Sequence, residues 1–342
     1  MRKSILFLTV YSLLASVTLS VLLGAETDKE KGKPENPEKI AIIDPAKVDI
    51  DFAIQGEYSG IVVDDGQEFK AGVQVIALGD HKFRAIAYPG GLPGDGWNKQ
   101  DVIIVEGETI DGRTMMTGPL GSGVVTDGST IQINNKNGVD MGTIKKVVRK
   151  SPTLGKKKPE GAVVLFDGSS AKAFKDGQLT SNGLLKQGTT SVQTFGDCTL
   201  HLEFMLSYMP YAREQGRSNS GCYLQGRYEV QILDSFGLIG KKNECGAIYD
   251  VHAPSTNMCF PPLTWQTYDI DFIAAKYDEN GTKSTDAKMT VRHNGVVVQK
   301  GVSVPNATRA APNKEGPQPG PIYLQDHNNP LRFRNIWVVE RK

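Results

Sequence analysis

Residues 221–235 hold the densest set of side chains able to do chemistry. The order Tyr223, Leu224, Gln225, Gly226, Arg227, Tyr228, Glu229, Val230, Gln231, Ile232 alternates polar with apolar. In a strand, Tyr228, Val230 and Ile232 point one way and Arg227, Glu229 and Gln231 the other. An arginine, a carboxylate and an amide on one face make a good inventory for gripping a polyhydroxylated ligand. The plainer reading of Glu229 with Arg227 is a surface ion pair worth about 0–1 kcal/mol. A second stretch, residues 321–337, repeats the run Tyr-Leu-Gln at Tyr323, Leu324 and Gln325. It continues through Asp326, His327, Asn329, Arg332 and Arg334. The pair of stretches points to a sugar-handling site on a β-sheet.

The elements that must position these residues are strands. The 342 residues suffice for two domains with cores of their own, and 37 glycines and 18 prolines supply turns. Between residues 40 and 150, short alternating runs are punctuated by Asp65-Gly66, Gly79-Asp80, Asp111-Gly112, Asp127-Gly128 and Asn137-Gly138. That is a series of hairpins, hence a small antiparallel sandwich or barrel. The segment 90–97, with four glycines and Trp97, reads as a long loop carrying an exposed aromatic; no Lys-Ser pair follows, so it is no phosphate cradle. Residues 151–161 are basic and proline-bracketed, and read as a solvated linker without the aromatics a nucleic-acid patch would want. Strands resume from Ala162 to Lys342, with a hairpin at Asn294-Gly295, in the pattern of a two-sheet jelly roll. The fold class expected is therefore all-β throughout.

The formal net charge of +1 provides no global field toward nucleic acid or an acidic membrane. Residues 1–25 read as a secretory signal: Arg2 and Lys3 lead an apolar run ending at Gly24-Ala25. A membrane anchor is the alternative, and Ser12, Ser16, Thr18 and Ser20 favour cleavage. Residues 26–39 read as a flexible leader. The mature protein is then expected to be exported, periplasmic or extracellular, without a membrane span. The four cysteines, Cys198, Cys222, Cys245 and Cys259, allow three disulfide pairings. Cys245 with Cys259 would staple one loop, and buried free thiols are the other reading. No ligand spacing calls for a metal or another cofactor.

The motifs at 165–168 (Leu-Phe-Asp-Gly), 219–231, 246–249 (Gly-Ala-Ile-Tyr), 265–270 (Trp-Gln-Thr-Tyr-Asp-Ile) and 324–327 (Leu-Gln-Asp-His) together carry a resemblance. From about Ala162 to Lys342 the chain resembles the 3-keto-disaccharide hydrolase domain, which has a concanavalin-like sandwich. Residues 40–150 resemble a companion domain found beside it in planctomycetes, for which no function carries over. The insertion 208–217 departs from the family pattern and is placed to reshape the rim of the cleft.

The resemblance implies a groove across one outward sheet. Glu203, Tyr223, Gln225, Arg227, Glu229 and Gln231 are expected to line it, with Asn219, Asp326 and Arg334 binding sugar. A 3-keto group acidifies the proton on C2, so the glycosidic bond can leave by elimination and water can add back. That route needs a base, a donor or cation for the enolate oxygen, and an acid for the leaving oxygen. His327 suits acid or base work because histidine ordinarily titrates near neutrality. Glu229 is the second candidate, with Arg227 expected to hold it ionised. Arg332 or Arg334 would stabilise the enolate. Two alternatives stand beside this: a glycosidase using Glu203 and Glu229 as paired carboxylates, and a carbohydrate-binding module without catalysis. His201 and His293 read as surface strand residues, and Tyr249 as a core tyrosine.

Overall fold

The computed structural model describes residues 35–341; the expected signal at 1–25 and the leader up to 34 lie outside them. After two short 3-10 turns and the one-turn helix α1 (Asp51–Ile54), eight strands follow in a meander. They are β1 (Gly56–Asp64), β2 (Gln67–Gly79), β3 (Lys82–Pro89), β4 (Ile103–Ile110), β5 (Arg113–Gly118), β6 (Gly121–Val125), β7 (Thr130–Asn135) and β8 (Asp140–Val147). Each pairs antiparallel with the next, and β8 returns to β1, so the sheet closes into a barrel. The tight turns do what their residues dictate. Asp65-Gly66 and Asp111-Gly112 both have positive φ, the hairpin geometry that matches strand twist.

The remaining strands build a sandwich. They are β9 (Val163–Phe166), β10 (Phe174–Lys175), β11 (Thr189–Phe195), β12 (Cys198–Met205), β13 (Ser220–Leu224), β14 (Tyr228–Ile232) and β15 (Trp265–Ile273), followed by β16 (Lys276–Tyr277), β17 (Lys283–Thr285), β18 (Ala287–His293), β19 (Val296–Val304), β20 (Gly320–Leu324) and β21 (Arg332–Glu340). One sheet has the order β10-β11-β20-β13-β14, the other β19-β18-β15-β12-β21-β9, and β16 pairs with β17 alone. Alternation decides what each strand buries. Cys222, Leu224, Tyr228, Val230, Ile322 and Leu324 from the first sheet meet Leu200, Leu202, Phe204, Tyr268, Ile270 and Phe333 from the second in one apolar core. Ile76, Ile86 and Tyr88, facing out of the barrel, join that core, and so in part does Trp97. Trp97 packs edge-on to Tyr88 at 5.1 Å rather than standing in solvent.

The expected solvated linker is a docked strap. The Ser151 and Thr153 hydroxyls reach Thr267 Oγ1 at 2.6 and 2.8 Å, and Gly155 N–H donates to Glu203 at 2.6 Å. Lys156 Nζ meets Asp269 at 2.8 Å. This strap covers the outer face of the six-stranded sheet. Beneath it His201, fully buried, stacks on Trp337 and shares a 3.0 Å hydrogen bond with Asp269. His293 is likewise buried, with Nε2 on Gln266 Oε1 at 3.0 Å, and burial pushes its pKa down to about 3. Neither histidine is the surface residue expected, because their strands carry a second layer rather than solvent. All four cysteines are buried free thiols, Cys245 with its sulfur 3.2 Å from the Tyr268 hydroxyl.

The insertion 208–217 reaches into both parts. Tyr208 is fully buried against the barrel core, its hydroxyl donating to Asp49 at 2.9 Å. Arg213 donates to the Leu78 carbonyl at 2.8 Å. Two residues on, Gln215 turns back toward the sandwich.

Candidate active site

The outer face of the five-stranded sheet carries an ordered polar row. Register places Thr190 opposite Tyr323, Tyr323 opposite Tyr223, and Tyr223 opposite Glu229. Cross-strand partners share a face, so these four project outward together while their neighbours fill the core. The Tyr223 hydroxyl donates to Glu229 Oε2 at 2.7 Å, and Gln325 Nε2 donates to that hydroxyl at 3.2 Å. Gly221, one step away on β13, leaves the room that Glu229 Oε1 occupies; any Cβ there would collide with the carboxylate.

A second group surrounds Gln231. Its Nε2 donates to Gln215 Oε1 at 3.0 Å and to Asn219 Oδ1 at 3.3 Å. Asn219 in turn donates through its Nδ2 to the Gln215 carbonyl at 2.7 Å and through its backbone N–H to Asn329 Oδ1 at 2.7 Å. Glu229 and Gln231 are buried and form a floor. Tyr323, Gln325, Gln215 and Tyr249 are half-buried above it, while Asp326, His327 and Arg309 stand exposed at the rim.

Electrostatics single out Glu229. Burial raises its pKa, the Tyr223 hydrogen bond pulls against that, and the charge of Asp250 raises it further, leaving it at about 8. Tyr223 itself is raised, by burial and then by the neighbouring carboxylate, so its hydroxyl keeps its proton. The pair is a carboxyl poised close to neutrality, with a fixed donor on one oxygen.

Several expected members of the site lie elsewhere. Arg227 does not hold Glu229 ionised. It belongs to the turn between β13 and β14, where its guanidinium donates to the carbonyls of Lys314 and Gln318 and to Gln225 Oε1. Gln225 uses its Nε2 on the Phe195 carbonyl at 3.0 Å. Arg227 locks the 308–318 loop onto the hairpin, Gln225 ties the hairpin to β11, and both are spent as scaffold; the strand ends earlier than the alternation implies. Glu203, Arg332 and Arg334 are on the other sheet. Glu203 pairs with Arg334 and Met205 with Arg332 across β12 and β21, all outward from the six-stranded sheet. Arg334 Nε donates to Glu203 Oε2 at 2.7 Å and its guanidinium lies over the Trp265 ring. Burial raises the Glu203 pKa, but hydrogen bonds led by His201, Asn335 and Arg334 outweigh it and hold the group at about 2. Burial also lowers the pKa of Arg332, whose guanidinium bonds the Leu331 carbonyl.

Glu203 and Glu229 therefore stand on opposite outer faces, with two packed sheets about 10 Å apart between them. No shared substrate bond fits between two such carboxylates, which removes the paired-carboxylate arrangement. Asp326 caps its own loop, accepting from Asn328 N–H at 2.8 Å. His327 follows it on the rim, two residues beyond Gln325, and among the described residues its side chain has no hydrogen-bond partner.

Four residues of the trough escaped the sequence reading. Gln215 sits in the insertion 208–217, and its side-chain oxygen accepts from Gln231 Nε2. Tyr323 could have been found from the repeated Tyr-Leu-Gln run. Tyr249 and Arg309 come from loops whose approach to β14 has no local signal. Tyr249 N–H donates to the Glu229 carbonyl at 3.1 Å, and the Arg309 carbonyl lies 3.3 Å from the Tyr223 hydroxyl. Among the described residues, no three His, Cys, Asp or Glu side chains converge as a metal site would require.

The two-sheet sandwich that carries this trough matches a family model that makes it a carbohydrate-active enzyme domain of lyase or hydrolase type. The chain belongs to the family described as the 3-keto-alpha-glucoside-1,2-lyase-like domain, which it matches over residues 161–339, more than half its length. The match assigns nothing to the barrel. Three solved structures from Parabacteroides distasonis ATCC 8503, each named a "putative glycosyl hydrolase", are similar to it. The first is 30% identical, covers 54% of this chain and 85% of its own, and has a TM-score of 0.48. The second is 17% identical, covering 54% and 95% with a TM-score of 0.38. The third is 20% identical, covering 53% and 100% with a TM-score of 0.39. Among curated proteins none matches the chain.

Proposed function

We propose that the protein cleaves 3-keto-glycosides by elimination across C1 and C2, followed by addition of water. The observation that carries this reading is the Glu229 carboxyl, raised to about 8 beneath an outward polar trough. A base must take a proton from carbon, and a carboxylate at its ordinary pKa is a weak one. Raising its pKa toward the working pH increases basicity while leaving a usable ionised fraction.

In this scheme Glu229 removes the C2 proton of the oxidised sugar. The electron pair moves to the C3 carbonyl, and the enolate oxygen is met by donors on the same face, with Tyr223 and Gln325 the nearest to Glu229. Collapse of the enolate forms the C1–C2 double bond and expels the glycosidic oxygen, which takes its proton from His327 at the rim. Water then adds across C1 and C2. Gln231, Asn219 and Gln215 hold sugar hydroxyls, and Asp326 and Arg309 border the opening. Export of the mature chain, read from residues 1–25, is part of the same proposal.

The test is to offer the purified protein a 3-keto-glucoside and its unoxidised parent and to follow aglycone release. Release from the oxidised compound alone is expected. Equal release from both contradicts elimination, and binding without release leaves a lectin.

A further inference from the structure

The barrel contains a site of its own. Its interior is filled at one end and open at the other. At the filled end, Tyr58, Val75, Phe83 and Ile144 are fully buried, with Ile54 of α1 and Tyr208 packed beneath them. The Tyr58 hydroxyl reaches the carbonyls of Ile54 and Gly128 at 2.6 and 2.9 Å, which ties that end shut. Toward the other end the inward positions become small: Ala71, Ala85, Ala87 and Gly123 replace large side chains. A cavity of about 460 Å³ results, walled by Val105, Met116, Ile133 and Met141 among others.

Eight-stranded barrels either fill their interior or hold one small ligand. Protein interiors close-pack and keep few voids larger than a water molecule, and apolar cavities of this kind take up apolar guests. The volume is within the range of ligand pockets, about 300–1,000 Å³. Polar groups occur only at the mouth, where Asn135 Nδ2 donates to Asp64 Oδ1 at 3.1 Å and Asn134, Lys136 and Asp65 stand alongside. Phe69 and Leu120 flank the same opening and are 39% and 58% exposed, apolar surface that an occupant would cover.

We infer that the barrel binds one compact, uncharged lipophilic molecule, its apolar body inside and a hydroxyl or carbonyl at the asparagine-lined mouth. At the mouth the carboxylates of Asp64 and Asp65 outnumber the single ammonium of Lys136, which disfavours an anionic head, and a charge inside the apolar walls would be left unpaired. The inference is independent of the chemistry at Glu229.

The test is a fluorescence titration of the full chain with N-phenyl-1-naphthylamine, an uncharged dye. Saturable binding at one site per chain is expected, displaced by 2-naphthol but at least tenfold less well by 2-naphthoate. Ala87→Phe and Ala71→Leu fill the space and should each weaken the dye tenfold or more while the melting temperature holds or rises. Glu229→Gln should leave dye binding unchanged. Absence of saturable binding, equal displacement by the naphthoate, or unaltered affinity in whichever filling variant stays folded would each overturn the inference.

Discussion

Tyr223 and Glu229 stand directly opposite one another in the β13–β14 hairpin, and the tyrosine hydroxyl donates to the carboxyl at 2.7 Å. That bond lowers the Glu229 pKa against the burial that raises it. Tyr223→Phe removes the lowering contribution, so the carboxyl should titrate above about 8. Aglycone release from a 3-keto-glucoside should climb with pH as the base ionises, and in the variant that ascending limb should move to higher pH. An unmoved pH–rate profile would separate Tyr223 from the proton transfer.

Stability should carry the same signature. The Glu229 pKa is raised from 4.5 to about 8, so between those values the folded chain binds the extra proton. Stability from this group is therefore lost as pH rises through that window, by up to about 1.4 kcal/mol per pH unit. Glu229→Gln should flatten the slope and melt higher than the parent at pH 8. Denaturant unfolding at pH 5, 6.5 and 8 measures it.

Glu203 is expected to matter for folding and not for turnover. Its carboxylate is depressed to about 2, anchors the strap by accepting the Gly155 N–H, and pairs with Arg334 of β21. Its stabilisation is present above its ordinary range and is lost as pH falls toward about 2. Glu203→Gln should lower stability at pH 7 by about 1–3 kcal/mol, with kcat at moderate temperature within twofold of the parent. A collapse of kcat in a folded Glu203→Gln protein would place the chemistry on the wrong sheet.

Gln215 ties the insertion to the trough. Gln215→Leu leaves Gln231 Nε2 with Asn219 Oδ1 alone and removes an amide that holds a sugar hydroxyl in the proposed complex, a contact worth about 0.5–1.5 kcal/mol. KM for the 3-keto-glucoside should rise roughly two- to tenfold, with kcat changed less. Steady-state kinetics on the variant checks the split.

The class of fold was legible because its signals are local. The Asp-Gly and Asn-Gly turns marked hairpins, and strict alternation put Tyr228, Val230 and Ile232 in the core and Glu229 and Gln231 outside. What alternation does not reveal is which sheet a strand joins. Arg332 and Arg334 do alternate outward, but from β21, which pairs with β12 and so faces away from Glu229. Arg227 leaves the strand face that alternation gives it because the turn begins at Gln225, whose positive φ interrupts the strand before the arginine. His201 and His293 read as surface residues in the sequence because the strap and second layer that cover them are long-range facts. The environment of Glu229 was equally invisible: its raised pKa depends on burial and on a tyrosine six residues away that only strand pairing brings opposite.

The most direct test of the account follows the fate of the hydrogen on C2. A 3-keto-glucoside deuterated at C2 should lose its label to solvent as the parent protein releases aglycone, with release slowed by the isotope. Folded Glu229→Gln should leave the label in place and release at least a hundredfold less. Aglycone release with the C2 deuterium fully retained, or wash-out undiminished in Glu229→Gln, would contradict proton removal by this carboxylate.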